Sequence, residues 1–264
     1  MSAVSEIAPP PRVSVRRVLV GLFVAQGLIG AALVALDVTG FDAGNPSIAP
    51  EPSSPIMPGD QTRRYDPGAV PTRGPQDGGR RRPFTLPTEM GAMAFRFIDN
   101  PDLGRIMIAE GAITPGDADK FEAALKNAAP RPDVLALHSP SGSVRDALRM
   151  GEIVREEGLD TMMTADATCA SACPLILFSG VERRVSRDAW VGMHQSYMAD
   201  VSMVTTRQAV AEIQFLQGDV LAHTKAMGVD PAVHIHAFQT PPESIYYLVE
   251  DELTDYKVAT ELTD

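Results

Sequence analysis

Short apolar runs alternate with segments of helical periodicity from about residue 89 to the end of the chain. Alternating or continuous apolar residues predict strands at 95–99, 105–111, 133–139, 159–166, 182–186 and 189–194. Apolar residues at helical spacing predict helices at 114–128, 144–157, 172–179 and 202–227, and a shorter helix that begins at Pro231. Strands that alternate with helices are typical of an α/β domain with a mainly parallel sheet. We therefore expect residues 89–264 to form one such domain.

A continuous apolar run at residues 18–36, with Gln26 as its only polar side chain, precedes this domain. At about 1.5 Å per residue, the run is long enough to cross the hydrocarbon core of a bilayer. Arginines precede the run and aspartates follow it, which predicts residues 1–17 in the cytoplasm and an exported C-terminal part. A cleaved signal peptide is the alternative, but no small-x-small cleavage site ends the run. We expect an uncleaved single-pass transmembrane anchor.

The segment between this run and the domain, residues 37–88, contains ten prolines and few large apolar side chains. Such a composition buries too little surface to offset the entropy of ordering, so a disordered linker is predicted. Residues 1–88 carry nine basic and seven acidic side chains, whereas residues 89–264 carry fourteen basic and twenty-seven acidic ones. The strongly acidic domain argues against nucleic acid as a partner.

Three features that could carry chemistry follow predicted strands. Pro140 and Gly142 lie in a turn before a helix, Ser171 lies in the turn CASAC at 169–173, and His194 ends an apolar strand. Each feature alone is common in structural roles: a turn, a helix cap and a packed histidine. Open α/β sheets place ligands at the carboxyl ends of strands, so the three together predict a site there.

The motif SPSGSV, the serine 29 residues after Gly142 and the sequence GMHQ resemble the Clp protease proteolytic subunit. They also resemble its membrane-anchored relatives, among them bacterial periplasmic Clp-like proteins with a CASAC motif. The resemblance covers residues 103–260 and implies the spiral α/β fold of the Clp protease and crotonase superfamily. It implies Ser171 as nucleophile, His194 as general base, and the backbone N–H groups of Gly142 and Ala172 as the oxyanion hole.

Two positions depart from the Clp protease pattern. Ser141 stands where the family has glycine, and its side chain would narrow the groove that receives a substrate strand. The best register for the acid that orients the histidine places Ile245 there, so Glu243 is the nearest carboxylate, followed by Asp200 and Asp251. A Ser-Lys dyad, as in signal peptide peptidase A, would instead use Lys225.

The two cysteines of the chain, Cys169 and Cys173, flank Ser171. Four residues apart on a helical turn, they lie within the range that a disulfide bridges, and an exported domain favours oxidation. The alternative of a redox pair lacks the CxxC spacing. His234 and His236 do not have the spacing of a shared metal site on a helix. We expect neither a metal nor a cofactor.

Three functions remain open at this point. The first is a serine peptidase in the periplasm, anchored in the bacterial inner membrane, that hydrolyses peptide bonds through a Ser-His acyl-enzyme mechanism. The second is a catalytically inactive scaffold of the same fold, and the third is an acyl-CoA enzyme of the crotonase type. The resemblance also implies a homo-oligomer. The substrate would be a peptide or an unfolded protein.

Overall fold

A computed structural model of the chain describes residues 15–38, 61–68, 83–87, 90–197 and 205–264. The chain divides into two units, Met1–Pro50 and Glu51–Asp264. In the first unit, helix α1 spans Val15–Val38. Within the described residues, no helix combines the length and the apolar character needed to cross a membrane. A helix therefore forms where the anchor was predicted, but the transmembrane prediction for 18–36 is not supported.

The described part of the second unit contains ten short strands, six α-helices and a 3₁₀-helix at Pro231–Val233, where a short helix was predicted to begin. The strands are β1 (Thr62–Arg64), β2 (Ala94–Asn100), β3 (Gly104–Glu110), β4 (Val134–His138), β5 (Asp160–Met163), β6 (Thr168–Ala170), β7 (Arg183–Ser186), β8 (Trp190–Met193), β9 (Ser244–Tyr247) and β10 (Glu261–Thr263). The helices are α2 (Asp117–Asn127), α3 (Val144–Glu156), α4 (Pro174–Leu177), α5 (Thr206–Ala226), α6 (His234–Gln239) and α7 (Glu250–Asp255).

The larger sheet has six strands in the order β10-β7-β5-β4-β3-β2. Neighbouring strands are parallel except for β2 and β3, which pair antiparallel. The prediction of an α/β domain with a mainly parallel sheet is thus confirmed. Fully buried side chains from this sheet and from the helices form the main core, among them Leu135, Phe121, Met150 and Ile176.

The smaller sheet has four strands in the order β1-β9-β8-β6. Strands β6 and β8 are parallel, and β9 runs antiparallel to both β8 and β1. Ser139, directly after β4, connects the two sheets: its N–H donates to Thr168 O at 2.7 Å, and its carbonyl accepts from Ala170 N at 2.9 Å. The carboxyl ends of β4 and β6 therefore meet at one place.

The helix ends follow from local hydrogen bonds. Ser143 caps α3 by accepting from the N–H of Asp146, and Thr205 forms a capping box at the start of α5. The helix predicted from 114 begins later, at Asp117, because the Asp117 carboxylate accepts hydrogen bonds from the N–H and hydroxyl of Thr114. CASAC is also more than a turn, since Thr168–Ala170 forms strand β6. The sequence shows little sign of this three-residue strand.

Part of the predicted linker belongs to the folded unit. Residues 62–64 form β1, Phe84 packs against a cluster that includes Ile106, and the ring of His138 bonds to Pro87 O at 3.1 Å. The prediction of disorder for 37–88 is therefore wrong at 61–68 and 83–87. The rest of that segment beyond Val38 lies outside the described residues. Sheet pairing and apolar packing order these pieces, which a composition average over fifty residues does not detect.

Candidate active site

Ser171 and His194 lie at the carboxyl ends of the neighbouring parallel strands β6 and β8. The N–H of Ser171 donates to Gly192 O at 3.0 Å, which continues the pairing of the two strands past their ends. The Ser171 hydroxyl lies 2.8 Å from Nε2 of His194. The structure therefore brings the predicted nucleophile and base into hydrogen-bonding contact.

The backbone of Ser171 is in the left-handed region, with φ 63°. This conformation is unfavourable by about 1–2 kcal/mol for a residue with a side chain, and single strained residues of this kind cluster at active sites. Here it turns the chain sharply between β6 and α4. The side chain at the corner is thereby directed towards His194.

A disulfide joins Cys169 and Cys173 across this corner, with the two Cα atoms 5.1 Å apart. Cys169 belongs to β6 and Cys173 directly precedes α4, and both side chains are completely buried. The bridge closes a short loop with Ser171 at its centre. It therefore limits the conformations that the corner can adopt.

Gly142 lies in the turn between β4 and α3 with φ 151°. A β-carbon at this position would come within 2.4 Å of the Ile113 β-carbon, so no other residue fits without a shift of the backbone. Hydrogen bonds on both sides hold the turn, because Ile113 N donates to Ser141 O and Ser143 N donates to Ile113 O. The turn is rigid and closely packed.

Two backbone N–H groups near Ser171 are unpaired. Those of Gly142 and Ala172 donate to no acceptor in the part of the chain that the structure describes. Unpaired N–H groups of this kind are what an oxyanion hole requires. These are the two donors that the sequence resemblance implied.

His194 is nearly buried, with 7% of its surface exposed. Burial lowers the pKa of His194 below its usual value, and the backbone carbonyl of Pro242 acts in the opposite direction. Within the described residues, Nδ1 of His194 has no partner in hydrogen-bonding geometry, so Pro242 lies near the ring without completing a bond. The ring is neutral at physiological pH.

The described residues that were predicted to complete the site do not reach it. Glu243 uses its backbone carbonyl to accept from Tyr65 N, and its carboxylate makes no bond to His194. Asp251 is exposed in the first turn of α7, and Lys225 is exposed in the last turn of α5. Asp200 lies outside the described residues. The structure thus does not support Glu243 as the third residue, because its backbone pairs with the residue after β1 and its carboxylate does not bond to His194. It does not support Lys225 as the base either, because Lys225 lies on the exposed surface of α5.

Tyr65, which follows β1, is the residue of the site that sequence reasoning missed. Its ring lies against the His194 ring, with centroids 4.5 Å apart, and its hydroxyl donates to Pro140 O at 2.8 Å. Burial raises the pKa of Tyr65 to about 12, and the nearby hydroxyls of Ser171 and Ser141 act in the opposite direction. The available signal was the run TRRYDPG, a β-prone stretch that ends in a turn sequence inside a proline-rich segment.

A small pocket of about 30 Å³ opens beside Ser171 and His194. Its apolar lining consists chiefly of Leu175, Met193, Val220, Ala237 and Phe238. His234 also lines it, and burial lowers the pKa of His234 from 6.5 to about 4, helped by the nearby His223. The pocket therefore combines these apolar side chains with polar ones, among them Ser196 and Gln217, and Asp, Glu, Lys and Arg are absent from its described lining.

Comparisons with known proteins add little to this geometry. No protein-family model matches the chain, and a search of curated proteins finds no match. Among solved structures, a peptidase from Plasmodium falciparum is similar, with 14% identity and a TM-score of 0.46. The similarity covers 60% of this chain and 95% of that one. The functional proposals therefore rest on the geometry of Ser171, His194 and their neighbours.

Proposed function

We propose that residues 61–264 form a serine peptidase of the Clp protease type, in which Ser171 is the nucleophile and His194 the general base. The observation that carries the proposal is the 2.8 Å contact between the Ser171 hydroxyl and Nε2 of His194. The left-handed backbone of Ser171 supports it, as do the N–H groups of Gly142 and Ala172, which have no partner among the described residues.

Each step of acyl transfer has a group in position. For Nε2 of His194 to accept the Ser171 proton, the ring must carry its own proton on Nδ1. The serine oxygen then attacks the peptide carbonyl carbon, and the N–H groups of Gly142 and Ala172 stabilise the resulting oxyanion. His194 gives its proton to the leaving amine as the C–N bond breaks. Water then hydrolyses the ester that links the acyl group to Ser171, with His194 again as base.

Because no carboxylate bonds to His194 among the described residues, a backbone carbonyl takes the place of the acid in the proposed mechanism. The carbonyl of Pro242 lies near the His194 ring and favours its protonated form. A small movement of the ring during proton transfer would let Nδ1–H donate to that oxygen. A neutral carbonyl stabilises an imidazolium less than a carboxylate does, so we expect a slower enzyme than one with a full triad.

The pocket beside Ser171 indicates which side chain the enzyme accepts next to the cleaved bond. Its described lining mixes apolar and polar side chains without Asp, Glu, Lys or Arg, and its volume of about 30 Å³ admits a small group. A charged substrate side chain would lose its hydration there without gaining an oppositely charged partner. Small uncharged residues are therefore the expected choice at this position.

A fluorophosphonate probe tests the nucleophile directly. The wild type should be labelled, whereas Ser171→Ala and His194→Ala should not. Ser179→Ala is a matched control, because Ser179 also bonds to a histidine, His223, at 3.0 Å but is completely buried. Equal labelling of the wild type and Ser171→Ala would overturn the proposal.

The pH profile of labelling tests the role of His194. Because burial lowers the His194 pKa, the ring stays neutral and active as a base at pH values where an exposed histidine is already protonated. The labelling rate should therefore stay on its plateau down to about pH 6.5, the ordinary histidine pKa, and fall only below it. A midpoint above that pH would contradict this assignment.

An inactive scaffold of the same fold is the second candidate. The absence of a hydrogen-bonded partner for Nδ1 of His194 among the described residues favours it. Turnover of an unfolded peptide that depends on Ser171 would exclude it.

We also propose that the domain works outside the cytoplasm, in the periplasm. The disulfide between Cys169 and Cys173 supports this, since such bonds persist in oxidising compartments. Attachment to the inner membrane through residues 18–36 stays a prediction. The proposed homo-oligomer is supported by apolar side chains exposed on α5, where Phe215 is 73% exposed. Light scattering of the purified chain would test it.

A further inference from the structure

Residues 61–68, here called the strap, add a strand to the edge of the smaller sheet. Strand β1 runs antiparallel to β9, with Arg63 opposite Ile245. The pairing extends past both ends of β1, because Tyr247 N donates to Gln61 O at 3.0 Å and Tyr65 N donates to Glu243 O at 2.8 Å. The strap is therefore held by main-chain hydrogen bonds, independently of most of its side chains.

The strap leads directly over the candidate active site. Tyr65 covers the His194 ring, and its hydroxyl bonds to Pro140 O, in the turn that also contains Gly142. Tyr65 also packs against the apolar cluster that contains Ala170, and its hydroxyl is close enough to that of Ser171 to affect its pKa. Tyr65 thus contacts all three strand ends that build the site.

Beyond Tyr65 the strap continues along the same turn. The Ser141 hydroxyl donates to Pro67 O at 3.5 Å, the longest of the strap's bonds to this turn. Ser141 is the residue whose side chain was expected to narrow the groove for a substrate strand. A segment of the chain itself now lies beside that side chain: it is a strand at Thr62–Arg64 and turns at Pro67 and Gly68.

An extended peptide binds to a sheet by adding a strand to a free edge, and β9 is the edge that would be free without β1. We propose that the strap occupies the substrate site as an intramolecular competitor, and that the substrate is an extended peptide which displaces it and pairs with β9. The substrate places a large apolar or aromatic side chain where Tyr65 lies. This inference rests on the proposed function for its activity readout only.

Covalent attachment makes the strap a strong competitor. Because the strap and β9 belong to the same chain, the strap acts at an effective concentration of the order of 1 mM. A free peptide with the same contacts would need a similar concentration to displace half of it. The enzyme in its strapped form therefore works slowly on dilute peptides, and weakening the strap raises the rate.

A proline substitution in β1 can weaken the pairing of the strap with β9, and a proline at the next residue serves as the control. Gln61 and Tyr65 are in hydrogen-bonded pairs with β9, so Arg63, midway between them, is in one too, whereas Arg64 is not. Arg63→Pro removes an N–H that faces β9, and Arg64→Pro removes one that points away. We expect Arg63→Pro to raise the rate of Ser171 labelling and of peptide hydrolysis at least about five-fold, with Arg64→Pro near the wild type.

Tyr65→Ala provides a second variant, with Thr62→Ala as its control because Thr62 is exposed on the same strap. Tyr65→Ala should also raise the labelling rate and lower KM. If Arg63→Pro does not fold, Tyr65→Ala tests the inference in its place. A fall in kcat with unchanged KM would mean that Tyr65 positions His194, and would overturn the inference. Equal rates in all four variants and the wild type would overturn it as well.

A binding measurement separates this inference from the proposed function. A fluorescent peptide with the strap sequence QTRRYDPG should bind saturably to the full chain carrying Arg63→Pro and Ser171→Ala, and at least about ten-fold more weakly to Ser171→Ala alone. If the peptide binds but Ser171 is not labelled in the wild type or in Arg63→Pro, the proposed peptidase activity is refuted, while the strap remains a competitor for a peptide site. If the peptide binds to neither chain while Ser171 is still labelled, the strap is not a competitor for a peptide site, and the proposal of a peptidase stands.

Discussion

The left-handed backbone at Ser171 predicts that glycine is more favourable there than alanine, although both remove the nucleophile. Ser171→Ala keeps a β-carbon in a conformation that is unfavourable by about 1–2 kcal/mol, and Ser171→Gly relieves this. Glycine also gains freedom in the unfolded chain, which costs about 0.5–1 kcal/mol. The net difference should be about 0.5–1 kcal/mol in favour of glycine, because at positive φ the strain on alanine exceeds the entropy lost by glycine.

Ser179 is the control position for this comparison. It is completely buried, bonds to a histidine as Ser171 does, and is not among the residues with positive φ. There the order should reverse, with glycine less stable than alanine by about 0.5–1 kcal/mol. The difference in the free energy of unfolding between the glycine and alanine variants should therefore change by about 1–2 kcal/mol from Ser171 to Ser179. The loss of the serine hydroxyl cancels, because both variants at a position lack it.

Thermal unfolding followed by circular dichroism measures this difference. For a domain of about 200 residues, about 1 kcal/mol shifts the midpoint by about 2–4 °C. Ser171→Gly should melt above Ser171→Ala by about 1–4 °C, and neither should react with a fluorophosphonate. If Ser171→Gly melts below Ser171→Ala, as at Ser179, the corner is not strained and this argument for a catalytic serine is refuted.

Three further predictions concern stability. Because the folded state holds the pKa of His234 at about 4, only the unfolded state takes up its proton as pH falls below 6.5. The free energy of unfolding should therefore drop by up to about 3 kcal/mol between about pH 6.5 and 4, and His234→Gln should remove that share in urea titrations. Replacing both Cys169 and Cys173 by serine should lower stability by about 2 kcal/mol, as measured by urea unfolding; no change would mean that the bridge does not restrict the corner. Gly142→Ala should destabilise the domain by more than about 2 kcal/mol, because the added β-carbon collides with Ile113. Gly116→Ala is the control: at φ 90° and with open space around it, only the strain of the left-handed backbone destabilises it. Calorimetry of the two variants measures the difference in stability.

The hydrophobic pattern was sufficient to predict the larger sheet. Strand β4 is buried throughout and β3 over its four residues 106–109, and these continuous apolar runs are clear in the sequence. His194 was found because it follows such a strand, whereas Ser171 follows the short β6 and was found through the resemblance of its motif to the Clp proteases. These parts depend on local sequence and on simple sheet geometry.

The third position of the site and the strap could not be predicted in the same way. The partner of His194 depends on how the chain near Pro242 returns to the sheet, and the contact there involves a backbone carbonyl that any residue could supply. Strand β1 has only three residues, two of them arginines, and its partner β9 is far away along the chain. Local composition contains no information about such a partner.

The position of β1 at the edge of the smaller sheet also determines how the molecule can be shortened. A chain trimmed to begin at residue 89, the boundary that composition suggests, would lose β1 and bare the hydrogen-bonding groups of β9 from Glu243 to Tyr247. An uncovered strand edge is a template for pairing with another molecule. Such a fragment should self-associate through β9 and precipitate, whereas one that begins before Gln61 should stay dispersed.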